Sequence, residues 1–343
     1  MNNFRLLPDD TKRFVVEQTA LLQGLSKQVV EKDLWVSTIL EVIFDLSYAD
    51  KIVFKGGTSL SKVWGLIERF SEDIDLAIDR GIFGFDGELT IRKIKQLRKA
   101  SSLFVKNDFC NDLKDAVERY GLSQYLEIEA QPDGEGDKTY PEPRQIFIRY
   151  KSLFNTELSY VKPQIILEIS SRSLFEPTQK AMVASMITSE FPEIQTSVVR
   201  HEITTAVAGK TFLEKTFLLH ELFTTNGCEK AERKSRHLYD LERMMDCDFA
   251  LAAINDDNLW NTISHHREMF TRINGVDYSP DIRDRIVLTP PAEYMQRWAA
   301  DYASMQTSMI YGESLSFDAL IERMQELEGR FHNRAKLLYN GTQ

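Results

Sequence analysis

One stretch, IVFKGGTSLSKVWGLIERFSEDIDLAI from Ile52 to Ile78, constrains the fold of this chain more than any other. Its apolar start predicts a β-strand that ends at the Gly56–Gly57 pair, where backbone N–H groups can approach an anion closely. Thr58 and Ser59 are common helix N-cap residues, and the apolar residues after them recur at helical spacing as far as Ile67. The stretch therefore predicts a strand, a glycine turn that binds phosphate at a helix N-terminus, a helix and a second strand.

The second strand carries two carboxylates on one face. The run Asp73–Ile78 alternates polar and apolar residues, so the Cα atoms of Asp73 and Asp75 should lie about 6.5–7 Å apart on the same side. Two carboxylates this close repel each other unless a cation lies between them. A glycine turn or a D-x-D pair alone is often only a turn or a solvated strand. Together they predict a metal–nucleotide site, with Mg²⁺ as the metal, or Mn²⁺ in its place.

The order of these motifs resembles the nucleotidyltransferase superfamily of the DNA polymerase β type. More narrowly, FKGGTSLSK and RFSEDIDLAI resemble the AbiEii/AbiGii toxins of type IV toxin–antitoxin and abortive-infection systems, most strongly over residues 31–78 and then in order to about residue 245. The resemblance implies an α+β fold, in which a polymerase β-like mixed sheet flanked by helices precedes an all-helical C-terminal domain. We expect the nucleotidyltransferase domain at residues 1–208 and the helical domain at 209–343.

A third carboxylate lies in the apolar strand predicted over Gln164–Ile169. The resemblance implies that Glu168 completes the metal site with Asp73 and Asp75 or activates the attacking hydroxyl, although this superfamily more often has Asp there. The alternative is a Glu168 that faces water on an edge strand. Arg172, behind it, could bind a nucleotide phosphate or pair with Glu168.

Two further site residues lie in the helical region. Lys215, in a helix predicted over Thr211–Phe223, matches the family's helix lysine that contacts the nucleotide phosphates, and the alternative is a solvent-facing lysine. Asp240 matches the final Asp of the family motif R-D-x-Y-D-L and is expected to act in catalysis. Arg236 could form an i,i+4 pair with it. His237 replaces the motif's first Asp, and we expect it to be a neutral neighbour of the site.

Two basic helices are candidates for RNA contact. The run Ile91–Lys99 has five cations and is the densest basic patch of the chain, and the last predicted helix, Phe317–Leu337, is the second candidate. The basic residues of that last helix are Arg323, Arg330, Arg334 and Lys336. The first run could instead be an ordinary solvated helix face.

Other segments give less specific predictions. The triplet Glu31–Asp33 resembles the family's E-K-D, and we interpret it as a solvated helix face, with a phosphate contact by Lys32 as the alternative. Ser71, just before the D-x-D strand, is a candidate modification site that would block the nucleotide pocket. The aromatic residues Trp298 and Tyr302 share a helix face and should belong to the core. Lys180–Ser189 is predicted to be helical.

Composition limits the class of protein. The formal net charge of −10 argues against broad, non-specific nucleic-acid binding but leaves room for RNA on a local basic patch. The three cysteines, Cys110, Cys228 and Cys247, are far apart, as expected of thiols in a reducing cytoplasm. The N-terminal residues MNNFRLLPDD lack a signal-peptide pattern, and no apolar run approaches the length needed to cross a membrane. We expect a cytoplasmic monomer.

The resemblance implies transfer of a nucleoside monophosphate from an NTP to RNA, at the 3′ end of a tRNA, which would block translation and arrest growth. It also implies a cognate antitoxin encoded alongside, which need not form a stable complex. Two alternatives stay open. The acceptor could be a protein hydroxyl or a small molecule, or the chain could be a nucleotide-binding module without catalytic activity.

Overall fold

In the computed structural model, residues 2–71, 73–155, 161–197 and 202–333 are described. They form two compact units. The first contains Met1–Val63 and Phe70–Ala206, and the second contains Trp64–Arg69 and Val207–Gln343. The sequence predicts a single boundary after residue 208, and it does not predict that six residues between the glycine turn and the D-x-D strand belong to the second unit.

The first unit is built on a seven-stranded mixed sheet. Its strands are β2 (Ile52–Lys55), β3 (Asp73–Ile78), β4 (Leu126–Ala130), β5 (Arg144–Tyr150), β6 (Gln164–Ser170), β7 (Thr178–Met182) and β9 (Glu202–Ala206). Their order is β4-β5-β6-β3-β2-β9-β7. The β3–β6 and β2–β9 pairs are parallel and the other pairs are antiparallel. A parallel two-residue pair, β1 (Asn2–Asn3) with β8 (Ile194–Gln195), lies outside this sheet.

Helices cover one face of the sheet. The helices of the first unit are α1 (Asp9–Gln23), α2 (Lys27–Ile43), α3 (Gly56–Lys62), α4 (Ile91–Phe104), α5 (Cys110–Arg119) and α6 (Met186–Glu190), and a π-helical segment, Val105–Phe109, joins α4 to α5. Apolar residues of α2 and α5, such as Ile39 and Leu113, pack with Ile74, Leu76 and Leu167 of the strands in one buried core. The alternation of β3 and β6 places the polar residues of those strands on the opposite face, here called the polar face.

The second unit is helical. It contains α7 (Ala208–Phe223), α8 (Arg236–Met244), α9 (Asp248–Asn255), α10 (Asp257–Phe270), α11 (Met295–Ser308) and α12 (Phe317–His332). Trp298 and Tyr302 are almost fully buried, so their predicted place in the core is confirmed. The α+β class is confirmed as well, since a mixed sheet with helices is followed by helices alone.

Two local predictions are wrong. The helix after the glycine turn ends at Lys62 and does not reach Ile67, because Gly65 adopts a φ of +59°, a left-handed conformation that interrupts a helix. Lys180–Met182 is strand and not helix, since β7 pairs with β9 along its whole length and these tertiary hydrogen bonds override local helix propensity.

Glu31 and Lys32 of the E-K-D triplet are buried and Asp33 is partly buried, so the predicted solvated helix face is also wrong. Glu31 accepts hydrogen bonds from Ser152 and from the backbone of Leu153, and Asp33 pairs with Lys62 of α3. The side chain of Lys32 is buried too, with its ammonium 5.4 Å from the ring centroid of Phe70. No helix among the described residues combines the length and hydrophobicity needed to cross a membrane.

Candidate active site

A row of four half-exposed side chains crosses the polar face. Lys55 of β2 lies opposite Asp75 of β3, Asp75 is in register with Glu168 of β6, and Glu168 is opposite Gln145 of β5. Asp73 lies two residues before Asp75 on the same face. The structure therefore brings the three predicted carboxylates together on two adjacent central strands, with a cation at one end of the row and an amide at the other.

Glu168 is held within this row. β6 lies between β5 and β3, so the edge-strand alternative is wrong. The amide of Gln145 donates a hydrogen bond to Oε1 of Glu168 at 2.7 Å, which fixes the carboxylate and leaves Oε2 for another partner. The predicted pairing of Arg172 with Glu168 is not formed. The backbone N–H of Arg172 donates a hydrogen bond to Glu142. Burial lowers the pKa of the Arg172 side chain, and the negative charge of Glu142 offsets part of that lowering.

The glycine turn packs directly against the D-x-D strand. Gly56 has a φ of +79°, and a Cβ added there would lie 2.8 Å from Cγ of Asp75, so only glycine fits this position. The hydroxyl of Thr58 donates to the backbone carbonyl of Asp73, and that of Ser59 donates to the carbonyl of Gly56. Thr58 and Ser59 thus lie inside α3 and do not cap it, contrary to prediction, because the helix begins at Gly56 itself.

The carboxylates fit a metal that is bound together with substrate. Oδ1 of Asp73 is buried and receives no hydrogen bond from the described residues, although other contacts hold the residue. Within the described ranges, no three Asp, Glu, His or Cys side chains form a ready-made metal cage. Mg²⁺ in proteins characteristically keeps several waters and binds one or two carboxylates together with substrate phosphates. Asp73 and Asp75 can supply the carboxylates of such a site.

A second polar cluster lies inside the second unit. Arg69 forms two parallel hydrogen bonds with Asp240, Nε to Oδ1 at 2.6 Å and Nη2 to Oδ2 at 2.8 Å. The ammonium of Lys215 lies 2.8 Å from the same Oδ2 and 3.4 Å from Nδ1 of His237. Asp240 is fully buried, Arg69 and Lys215 nearly so. The solvent-facing alternative for Lys215 is therefore wrong.

Charge decides which protonation states this cluster keeps. Burial by itself would raise the pKa of Asp240, but the adjacent Arg69 and Lys215 cations outweigh it and hold that pKa well below its usual range. Burial lowers the pKa of Lys215, and Asp240 offsets part of that effect. Burial, helped by the Lys215 and Arg236 charges, also lowers the pKa of His237 well below 6.5, which supports the prediction of a neutral imidazole.

The partner of Asp240 differs from the predicted one. Arg236 makes no ion pair with Asp240 within the described part of the chain, and its buried Nε receives no hydrogen-bond partner there. Arg69 takes that place from 171 residues earlier in the chain. Nothing in the sequence identifies Arg69, because its partner depends on tertiary structure and not on helical spacing.

A comparison with protein families decides the identity of the chain. The family described as nucleotidyl transferase AbiEii toxin, type IV toxin–antitoxin system, matches residues 38–323. The chain belongs to the AbiEii nucleotidyltransferase toxin family. The suspected family is thus confirmed, and with it the enzyme class: this AbiEii toxin is a nucleotidyltransferase of a toxin–antitoxin system, which implies an NTP substrate and a partner antitoxin.

Other comparisons add less. No curated protein matches the AbiEii chain. Among solved structures it is similar to MenT4, a nucleotidyltransferase toxin from Mycobacterium tuberculosis H37Rv, with 13% sequence identity over 95% of this chain and 98% of that one and a TM-score of 0.48.

The remaining predicted residues have mixed outcomes. Arg323 and Arg330 of α12 pair with Asp246 and Glu326, so the second candidate surface for RNA is largely neutralised, while Arg334 and Lys336 lie outside the described residues. Ser71 is half-exposed, and its modification stays a prediction. Phosphate contacts by Lys32, Arg172 and Lys215 also stay predictions.

Acid should destabilise this AbiEii toxin through His237. The folded protein keeps the imidazole neutral while the unfolded chain protonates it, so the unfolded state binds more protons as the pH falls below about 7. We expect the free energy of unfolding to fall by up to about 1.4 kcal/mol per pH unit below pH 6.5 from this residue. His237→Gln should make the free energy of unfolding less dependent on pH. The part of the pH dependence that comes from His220, whose pKa is also lowered by burial, should remain.

Urea denaturation between pH 7 and pH 5 measures this slope. His265→Gln is the matched control, since His265 is exposed. Equal slopes for the wild type and His237→Gln would contradict the assignment of a neutral imidazole to His237.

Proposed function

We propose that this toxin transfers a nucleoside monophosphate from an NTP to an RNA hydroxyl, at the 3′ end of a tRNA, with Mg²⁺ as its metal. The observation that supports this most is the register of Asp75 beside Glu168 on the polar face, with Gly56 packed against Asp75. Phosphoryl transfer relies on positioning and charge stabilisation, and carboxylates next to an anion-binding turn supply both. Loss of charged tRNA then arrests growth and could limit phage multiplication.

Each residue of the polar face has a defined role in this proposal. Asp73 and Asp75 would hold Mg²⁺, which would neutralise the charge that develops on the leaving group. The backbone N–H groups of Gly57 and Thr58 bind the NTP phosphates. Glu168, fixed at Oε1 by Gln145, presents Oε2 to the acceptor hydroxyl. Lys55, opposite Asp75, places a further positive charge in the row.

The reaction has one bond-forming step. The acceptor oxygen forms a bond to the α-phosphorus, the bond between that phosphorus and the β-phosphate oxygen breaks, and pyrophosphate leaves. The proton of the acceptor hydroxyl passes to Oε2 of Glu168 and then to solvent. Atoms and charge balance without a redox partner, and Gln145 keeps the carboxylate oriented toward the hydroxyl.

Helix α4 supplies a surface for the RNA acceptor. Arg92, Lys95 and Lys99 recur at i, i+3 and i+7 and are exposed, and none of them pairs with a carboxylate of the described residues. The helix is tied to the polar face through Glu142, which accepts hydrogen bonds from Ser101 of α4 and from Ser170, two residues beyond Glu168. An RNA backbone bound along α4 would therefore approach the carboxylate row.

Reversing this charge should weaken RNA binding without affecting the NTP. We expect the triple variant Arg92→Glu, Lys95→Glu, Lys99→Glu to raise the KM for tRNA about 100-fold and to lower the salt dependence of binding by about two counterions. Filter binding of tRNA at several salt concentrations, beside steady-state kinetics, measures both. Glu substitution at the exposed Lys114, on α5, is the control. If tRNA binding by the triple variant depends on salt concentration as steeply as binding by the wild type, α4 is not part of the RNA-binding surface.

A transfer assay tests the proposed function itself. Purified protein, Mg²⁺ and each α-labelled NTP in turn are mixed with total tRNA, and the products are separated into RNA and protein. Label on tRNA that depends on Mg²⁺ is the expected result, and it would identify the nucleotide. Label on protein alone would favour a protein acceptor instead. Absence of label, with NTP binding retained, would leave a nucleotide-binding module.

A further inference from the structure

A cavity of about 160 Å³ in the first unit lies apart from the carboxylate row. It is enclosed by α1, α2, the residues just before α1 and the segment that follows β5. Its lining includes none of the site residues named above. A ring the size of benzene occupies an engineered protein cavity of about 150 Å³, so this space accommodates one aromatic ring.

The inner wall of the cavity is apolar and aromatic. Phe4 and Leu34 are buried, and Trp35 and Tyr125 are partly exposed. The indole of Trp35 is stacked on Tyr150 with ring centroids 5.8 Å apart and an angle of 26° between the planes. Trp35 is therefore held in place by packing before any ligand arrives, which lowers the entropic cost of stacking a ring against it.

The rest of the lining carries an excess of positive charge. Four cationic side chains and two carboxylates line the cavity in a protein whose formal net charge is −10. The cations are Arg5, Lys12, Arg13 and Lys151, and the carboxylates are Asp9 and Glu31. Both oxygens of Glu31 already accept hydrogen bonds, from the hydroxyl of Ser152 at 2.5 Å and the backbone N–H of Leu153 at 2.6 Å.

Two of these cations are available to a ligand anion. The largely buried guanidinium of Arg5 donates hydrogen bonds to neutral acceptors, the carbonyl of Thr196 at 2.6 Å and the hydroxyl of Thr38 at 2.9 Å, and the nearby Glu41 charge offsets only part of the lowering of its pKa by burial. A cation that is largely removed from water and hydrogen-bonded to neutral groups gains from an added anion. Lys151 is exposed, and no carboxylate of the described residues lies within ion-pair distance of it.

We propose that this cavity binds a small aromatic anion, a molecule with one planar ring and one phosphate or carboxylate group. The ring lies against Trp35 and Tyr125, and the anionic group is bound by Arg5 and Lys151. A neutral ring would leave Lys151 without a counter-charge and Arg5 with only neutral hydrogen-bond partners, and an inorganic anion would leave the aromatic wall in contact with water. Neither alone matches both parts of the lining.

Ligand-observed NMR titration with phenyl phosphate and with benzoate tests this proposal on the full-length protein. The titrations are run in EDTA, so that binding through a metal at the carboxylate row does not contribute. We expect saturable binding of at least one probe, and at least tenfold weaker binding of benzyl alcohol and of inorganic phosphate. Equal affinity for benzyl alcohol and the two anions would overturn the proposal, as would no saturable binding of either anion.

Two exposed lysines provide a matched pair of variants. Lys151→Glu should weaken binding of the probe about tenfold, the effect of one charge-assisted hydrogen bond. Lys230→Glu makes the same change of net charge at an exposed lysine outside the cavity lining and should leave the affinity unchanged. Both positions are exposed, so both variants should fold. Equal weakening by the two variants would show a general charge effect and overturn the assignment.

Discussion

Asp75→Asn should reduce nucleotide transfer about 10³-fold or more while the protein stays folded. The substitution keeps the size of the side chain but removes a metal ligand and one of the two neighbouring negative charges, Asp75 and Glu168. The metal contributes several kcal/mol to transition-state stabilisation. Because Asp75 and Glu168 repel each other, losing one charge should leave the melting temperature unchanged or slightly raised.

Asp79→Asn is the matched control for this variant. Asp79 directly follows the same strand, accepts a hydrogen bond from the backbone of Gly81, and belongs to no part of the carboxylate row. Transfer of labelled nucleotide to tRNA, beside thermal unfolding, compares the two. An Asp75→Asn protein that is as active as Asp79→Asn would exclude Asp75 as a metal ligand and, with it, the proposed mechanism.

Asp240→Ala should destabilise the second unit by about 3–5 kcal/mol. The substitution leaves the buried Arg69 and Lys215 without their shared counter-charge, and removing one partner of a buried ion pair costs this much because the remaining charge is uncompensated. The effect should be larger than that of any surface ion pair in the chain, most of which contribute less than about 1 kcal/mol.

A double variant separates the charge effect from loss of packing. Arg69→Met combined with Asp240→Leu removes the bidentate pair and refills its volume with apolar atoms, so it should recover part of the stability lost in Asp240→Ala. Guanidinium denaturation measures the free energy of unfolding for both proteins. If Asp240→Ala unfolds like the wild type, the cluster contributes nothing to stability, and its burial would need another explanation.

The part of the site that follows from local pattern could be predicted from the sequence. The period of two in Asp73–Ile78 correctly placed Asp73 and Asp75 on one face. The position of Glu168 on a neighbouring strand was implied by the family resemblance, and the pairing of β3 with β6 agrees with it. Strand pairing then added what alternation alone cannot show. Lys55 and Gln145 join the row only because β2 and β5 lie on either side of the two central strands.

Contacts between distant segments were not predictable. Arg236 is four residues from Asp240, a spacing that allows an i,i+4 ion pair, yet Asp240 pairs with Arg69. The aromatic, cationic cavity was missed for the same reason, since Arg5, Trp35 and Lys151 come from three separate segments. Gly65 shows that a single residue in a left-handed conformation ends a helix even where apolar spacing continues.

The excursion of Trp64–Arg69 into the second unit has a consequence for synthesis on the ribosome. Arg69 emerges early, but its partner Asp240 follows 171 residues later, on the order of 10 to 30 s at usual elongation rates. The helical unit cannot be completed until that delay has passed. No continuous gene fragment encodes this unit alone, because most of the first unit lies between its two segments. A shortened product that ends before residue 240 would therefore leave Arg69 without the carboxylate that it pairs with in the complete unit.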